Sequence, residues 1–241
     1  MFRKKLADKQ SEKSRMHFQW RSHEVLRIEA FSDAVFAFAV TLLIVSLEVP
    51  ETFDELLHTM SGFLAFAVSF TLLFQIWYTQ FIYFRRYGMQ DMFTIVVNAV
   101  LLFLVLFYVY PLKFLFRILL TIGPIHHEGA KPIITSEQLP ALMIIYGLGF
   151  ASIYLMFVLM YRHSAKKKDE LKLDDKEVFK TRTKMYIYSI NVIVPLMTVA
   201  AAIILPENKA GMSGFIYFLI GPAIMVLYTI RRKQHDKLFG A

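Results

Sequence analysis

Three ionisable residues and a hydroxyl open a strongly apolar run: Arg27-Ile28-Glu29-Ala30-Phe31-Ser32-Asp33, followed by Ala34-Val35-Phe36-Ala37-Phe38-Ala39-Val40-Thr41-Leu42-Leu43 and apolar to Leu47. Charge inside hydrocarbon is costly, so it is found paired, hydrogen-bonded or turned toward protein or water, where it serves ion pathways, proton relays or structure. Arg27 and Glu29 lie near enough to the start of the run to snorkel to the interface. Asp33 lies about one and a half turns further in, where a satisfied partner is expected.

The same run carries a stripe. At 100° per residue, Phe31, Phe38 and Val45 recur every seven positions with a drift of only about 20° each time, and Ala34 and Thr41 stand beside them. Two readings fit this pattern. The stripe is a packing face against a neighbouring helix, or it lines an axis shared by identical subunits, with apolar rings forming a constriction and Thr41 hydroxyls a polar step.

Other chemistry finds little material. The chain has no cysteine, which removes disulfides, thiol nucleophiles and cysteine-bound metals. His126-His127 has only Glu128 nearby, a thin donor set for a divalent metal, so no metal or cofactor is expected. No Ser-His-Asp set and no phosphate-cradling glycine loop can be assembled, and an enzyme is not expected. An arginine ladder and a TVGYG-like loop are likewise absent from the sequence.

The elements that position the cluster follow from composition. Of 241 residues 56% are hydrophobic and 15% aromatic, and mean hydropathy is +0.48. That exceeds what a soluble domain of this size buries, and the bilayer is the natural solvent for the surplus. A span needs roughly 20 mainly apolar residues, and six segments approach that length, at 26–48, 60–84, 92–112, 139–161, 185–205 and 211–230. Pro50, Gly88, Gly123-Pro124 and Pro206 fall in the gaps, and Pro140 at the edge of one. Pro195 and Pro222 fall inside spans, where each removes a helix hydrogen bond and permits a bend. Gly147 and Ala151 have the small-xxx-small spacing of a close helix contact. Trp77, Tyr78, Tyr108 and Tyr110 lie toward span ends, as interfacial belt residues do.

Charge fixes orientation. Lys and Arg number seven before residue 25, two at Arg85-Arg86, nine from Arg162 to Lys184 and four from Arg231 onward, against only Lys113, Arg117, Lys131 and Lys209 on the opposite side. Positive residues near span ends stay cytoplasmic, so both termini are expected inside. The expected organisation is a basic cytoplasmic tail at 1–24, an all-α six-helix membrane domain at 25–231 and a basic cytoplasmic tail at 232–241, in the cell membrane. Lys166-Lys167-Lys168 reads as a solvated loop obeying this rule, with anionic lipid as the other reading. The net charge of +8 is spent at span ends, which argues against nucleic acid as a partner.

The run Arg27-x-x-x-Phe31-Ser32-Asp33 and the residues after it closely resemble the RxxxFSD signature of the lysosomal potassium channel family, transmembrane protein 175, and its prokaryotic homologues. Trp77 late in span 2 and Asn98 and Pro111 on span 3 sit where that family places a tryptophan, an asparagine and a proline. The resemblance implies a potassium-selective channel, a homotetramer of six-span subunits with four copies of span 1 around a central pore, K+ permeating passively and membrane lipid as surroundings. It places Phe38, Thr41 and Val45 at the constriction, with Phe31 and Ala34 on the same face. It assigns Arg27, Phe31, Ser32, Asp33, Trp77, Gln80 and Asn98 to the network that holds span 1, within which Arg27 and Asp33 are expected to be paired or hydrogen-bonded within the subunit and buried from lipid. Two positions depart from the family pattern. Phe38 stands where isoleucine or leucine is common, and Gln80-Phe81 where a histidine pair often follows the tryptophan, although a glutamine amide both donates and accepts. A cation- or proton-coupled carrier is the alternative, but inverted repeats and broken helices around a midplane site are not visible in the sequence. A membrane scaffold without conduction is the third reading, separable from the channel only by flux.

Overall fold

The computed structural model describes residues 20–22, 24–45, 52–53, 60, 63–121 and 134–239. Its long elements are α1 (Arg27–Val45), α2 (Phe63–Tyr87), α3 (Met92–Thr121), α4 (Leu139–Lys166), α5 (Asp175–Ile204) and α6 (Ile220–Phe239), with 3-10 turns at Ser136–Gln138 and Glu207–Leu219. No strand occurs among the described residues.

Local chemistry explains the boundaries. Gly88, at φ +59°, ends α2 in the left-handed conformation that a glycine adopts without Cβ strain, and its N–H reaches the Phe84 carbonyl at 2.8 Å. Pro140 sits in the first turn of α4, where a missing N–H costs nothing. Asp174 and Glu177 form a reciprocal capping box at the start of α5, which begins ten residues before the apolar run expected at 185. The cap recruits the charged stretch between Asp175 and Lys184 into the helix.

The last expected span, 211–230, is built in two parts. Residues Glu207–Leu219 wind as a 3-10 helix whose buried residues, Ala210 and Ser213, are three apart, matching its three residues per turn. Pro222 therefore falls in the first turn of α6 and breaks no hydrogen bond of a helix interior, unlike Pro111 in α3 and Pro195 in α5. Residues 232–239, expected as a tail, continue α6.

The helices form two groups. α1, α2 and α3 pack on one another; α4 and α5 pair most closely, with the 3-10 segment and α6 on their outer side; α3 against α4 joins the groups. The Gly147 and Ala151 spacing marks a real contact: a Cβ on Gly147 would stand 2.4 Å from Val199 Cγ2 of α5, and Ala151 is buried. Gly149 serves the other neighbour, since a Cβ there would stand 2.3 Å from the Tyr108 ring of α3. Tyr108 is thus no belt residue; it is buried and donates to the Tyr146 carbonyl at 3.0 Å. Tyr78 and Tyr110 remain exposed.

Among the described residues, Met92–Leu112, Leu139–Lys166, Asp175–Ile204 and Glu207–Phe239 are long and apolar enough to cross a membrane. α1 holds Arg27, Glu29 and Asp33, and α2 holds Gln75, Gln80, Arg85 and Arg86. The chain is a multi-pass membrane protein.

Candidate functional site

The motif is drawn together by α1, α2 and α3. Ser32, Gln80 and Asn98, one from each helix, are all at most 2% exposed. Gln80 Nε2 donates to Asn98 Oδ1 at 2.8 Å, Asn98 Nδ2 donates to Ser32 Oγ at 3.0 Å, and Ser32 Oγ donates to the Ile28 carbonyl at 2.7 Å. In a dry interior an unmatched amide is expensive, so this relay fixes both the spacing and the rotation of α1 against its neighbours. Gln80, where the sequence departs from the family pattern, supplies one of its links.

Asp33 is held separately. The Trp77 indole N–H donates to its Oδ1 at 2.7 Å, and the two residues bound a groove of about 300 Å³ between α1 and α2, walled by Phe36, Val40, Phe70 and Leu73. Arg27 is exposed and makes no ion pair among the described residues, so the expected pairing of Arg27 with Asp33 within the subunit is not found. The reason is geometric: six positions apart on one helix, the two side chains point in different directions, and Trp77 approaches Asp33 from outside.

Within the motif, the carboxylate that meets an arginine is Glu29. Near enough to the helix start to snorkel, it is instead buried, accepts from the Leu26 N–H at 2.8 Å and stands 3.8 Å from Arg85 Nε at the end of α2. Its place three residues before Ser32, on the same helix face, is the signal that sequence reading passed over. Arg21, just before α1, is docked: its N–H reaches the Arg85 carbonyl at 3.1 Å, and its guanidinium bonds Glu177 at 2.5 Å and the Leu171 carbonyl at 2.8 Å.

α1 thus has two faces, roughly 150° apart at 100° per residue. Ser32, Phe36, Ala39 and Leu43 are buried against α2 and α3, whereas Phe31, Ala34, Phe38 and Thr41 are exposed, Phe31 by 62% and Phe38 by 56%. Thr41 Oγ1 is bonded to the Ala37 carbonyl at 3.0 Å, which leaves its lone pairs facing outward. Val45 ends the helix; its side chain lies outside the described residues, as do residues 1–19, His126-His127 and the loop acids Glu48, Glu51, Asp54 and Glu55. Among the described residues no group of three histidine, aspartate or glutamate side chains is arranged to hold a metal.

On the flank where α3 begins, Asp91 accepts from Thr94 Oγ1 at 2.6 Å and meets His163 Nε2 of α4 at 2.7 Å. Burial pushes the Asp91 carboxyl up, but the Thr94 and His163 hydrogen bonds and the positive charge of His163 and Lys167 outweigh it and hold it below its ordinary value.

The family model described as the endosomal/lysosomal potassium channel TMEM175 matches residues 27–108. A potassium channel of Marivirga tractuosa is 40% identical over 231 residues, 92% of this chain and 94% of the relative. A potassium channel of Chamaesiphon minutus is 29% identical over 150 residues, 59% of this chain and 66% of that protein. The crystal structure of the potassium channel MtTMEM175, a threonine-to-alanine variant in complex with a Nanobody-MBP fusion protein, superposes with a TM-score of 0.80 at 39% identity, covering 90% of this chain and 97% of that one.

Proposed function

The chain belongs to the TMEM175 family of potassium channels, and from that premise we propose that it conducts K+ passively as a homotetramer, with four copies of α1 around a central axis. Each subunit crosses the cell membrane six times, α1 and α2 adding to the four more apolar spans, with residues 1–24 and 232–241 at the cytoplasmic side. Phe38, Thr41 and Val45 form the constriction, and Phe31 and Ala34 line its cytoplasmic approach. No cofactor takes part.

The observation that carries this reading is the exposed stripe on α1. The helix is locked in rotation by the Ser32, Asn98 and Gln80 relay, and the face turned away from that lock bears Phe31, Ala34, Phe38 and Thr41. A fourfold axis on that side brings four copies of each residue together and closes the assembly. Rings of Phe38 then exclude water and block ions by dewetting, and Thr41 offers hydroxyls beside them.

Reconstitution into liposomes with a potassium gradient tests the proposal, alongside native mass in detergent. The expected result is a tetramer whose K+ flux runs down its gradient with no coupled ion. A fixed stoichiometry with another ion means a carrier, and a monomer or dimer that still conducts overturns the shared axis.

A further inference from the structure

Where α2 ends, the chain just before α1 crosses from one helix group to the other. Trp20 sets its ring edge against Phe81 of α2, 6.3 Å between centroids. The Arg21 and Ser22 N–H groups reach the Arg85 carbonyl at 3.1 and 3.4 Å, and Arg85 Nη1 donates back to the Ser22 carbonyl at 3.4 Å. From this strap the Arg21 side chain extends to the turn between α4 and α5. Its Nε donates to the Leu171 carbonyl at 2.8 Å and its Nη2 to the Lys172 carbonyl at 3.2 Å, while Nη1 and Nη2 donate to the two Glu177 carboxylate oxygens at 3.2 and 2.5 Å. Backbone to backbone, neither α1 nor α2 approaches α5 among the described residues, so the strap spans a gap that the helices leave open.

Both partners of this contact have an alternative to it. Glu177 also closes the capping box of α5, and the box is lopsided: the Glu177 N–H reaches Asp174 Oδ1 at 2.6 Å, but the return bond from the Asp174 N–H is stretched to 3.4 Å on Oε2, the oxygen that Arg21 holds. When Arg21 leaves, that bond is free to shorten, so Glu177 is not left as an unsatisfied buried charge. The guanidinium, already 18% exposed, returns to water. Tyr87 to Thr181 and Tyr83 to Ser164, at 2.7 and 2.9 Å, join the two groups helix to helix in the interior, and they stay in place when the strap lifts.

We propose that Arg21, in its cradle of Leu171, Lys172 and Glu177, is a reversible autoinhibitory latch. Closed, it clamps the α4–α5 turn to the end of α2, where Arg85 stands 3.8 Å from Glu29 of α1, and it holds the subunit in the conformation that turns Phe38 outward. Its effect on conduction rests on the reading above, in which rings of Phe38 block ions by dewetting. The latched chain is then the blocked one, and release raises flux without altering the residues at the constriction.

Arg21→Ala removes the guanidinium, and Glu177→Gln removes the charge it meets while leaving a residue that still closes a capping box. Hydrogen exchange on the purified full chain should quicken at least about tenfold at amides 21 and 22 in both variants, the loss of one charge-assisted hydrogen bond, and stay as in the wild type through α1 and α5. In liposomes both variants should pass K+ severalfold faster with the same preference over Na+. Because the chain has no cysteine, Arg21→Cys with Lys172→Cys, joined by a short reducible thiol-reactive spacer, closes the strap covalently. Bridged protein should conduct at the wild-type rate and reduced protein at the raised one. Unchanged exchange at amides 21 and 22 means that Arg21 does not hold the strap, and faster exchange that extends through α1 and α5 means a structural joint; either overturns the proposal. So does equal flux from bridged and reduced protein when Phe38→Ala conducts. If Phe38→Ala itself passes no K+, the channel reading has failed, and the exchange results still decide whether the strap is a latch.

Discussion

Asn98→Ala tests whether the buried relay holds α1 in place. Asn98 is 1% exposed and joins α1 to α2 through Ser32 and Gln80. The consequences of removing its amide differ on the two sides. Ser32 Oγ still donates to the Ile28 carbonyl at 2.7 Å, so α1 loses one accepted bond, worth about 0.6 kcal/mol between membrane helices. Gln80, 2% exposed, keeps a donor with no acceptor, which costs about 1–3 kcal/mol. The sum is about 1.6–3.6 kcal/mol, or a fall in melting temperature of roughly 3–14 °C for a chain of this size. Thermal unfolding in detergent, followed by loss of the monodisperse peak, measures it. The decisive control is Gln80→Leu with Asn98→Leu, because replacing both partners by apolar groups leaves no orphaned donor and should recover part of the loss. If Asn98→Ala melts with the wild type, or if the double leucine variant loses as much as the single one, the relay does not anchor α1 and the rotation inferred for its exposed face falls with it.

Gly149→Ala should destabilise by about 1–3 kcal/mol, because the new methyl would stand 2.3 Å from the buried Tyr108 ring, whereas Gly221→Ala, with nothing within 4 Å, should be silent in the same melting assay. Asp91 predicts an acid limb: with its folded pKa below the ordinary 3.8, its contribution is complete above that value and disappears as pH falls through the folded pKa. Asp91→Asn should flatten the decline in melting temperature measured below about pH 4; an unchanged decline removes Asp91 as its cause.

The sequence disclosed the helices and the polar motif but not which motif residues would touch. Hydropathy and breakers locate α1 to α4 because span length and proline or glycine chemistry act locally. The early start of α5 depends on the Asp174 and Glu177 cap, and the 3-10 winding before α6 on which residues meet α4 and α5, so an apolar average hides both. Periodicity divides α1 into stripes, yet the packed stripe is chosen by Ser32 finding Asn98, a partner 66 positions away. Asp33 is satisfied by Trp77, 44 positions away, so of an ion pair with Arg27 or a hydrogen bond within the subunit, the hydrogen bond is the one found. Glu29 is hidden differently: its partner Arg85 reads in the sequence as a span-end charge that marks topology.

The most direct test of the account is ion flux through Phe38→Ala in liposomes. Phe38 is 56% exposed within the subunit, so truncating it should spare the subunit fold and avoid the about 3–5 kcal/mol loss of a buried phenylalanine. Four rings removed from a shared axis should wet the constriction, raising cation flux and weakening the discrimination of K+ over Na+; Thr41→Ala should lower selectivity with less effect on total flux. Unchanged flux and selectivity, accompanied by a fall in thermal stability, would make Phe38 a packing residue and put the pore on another face of α1.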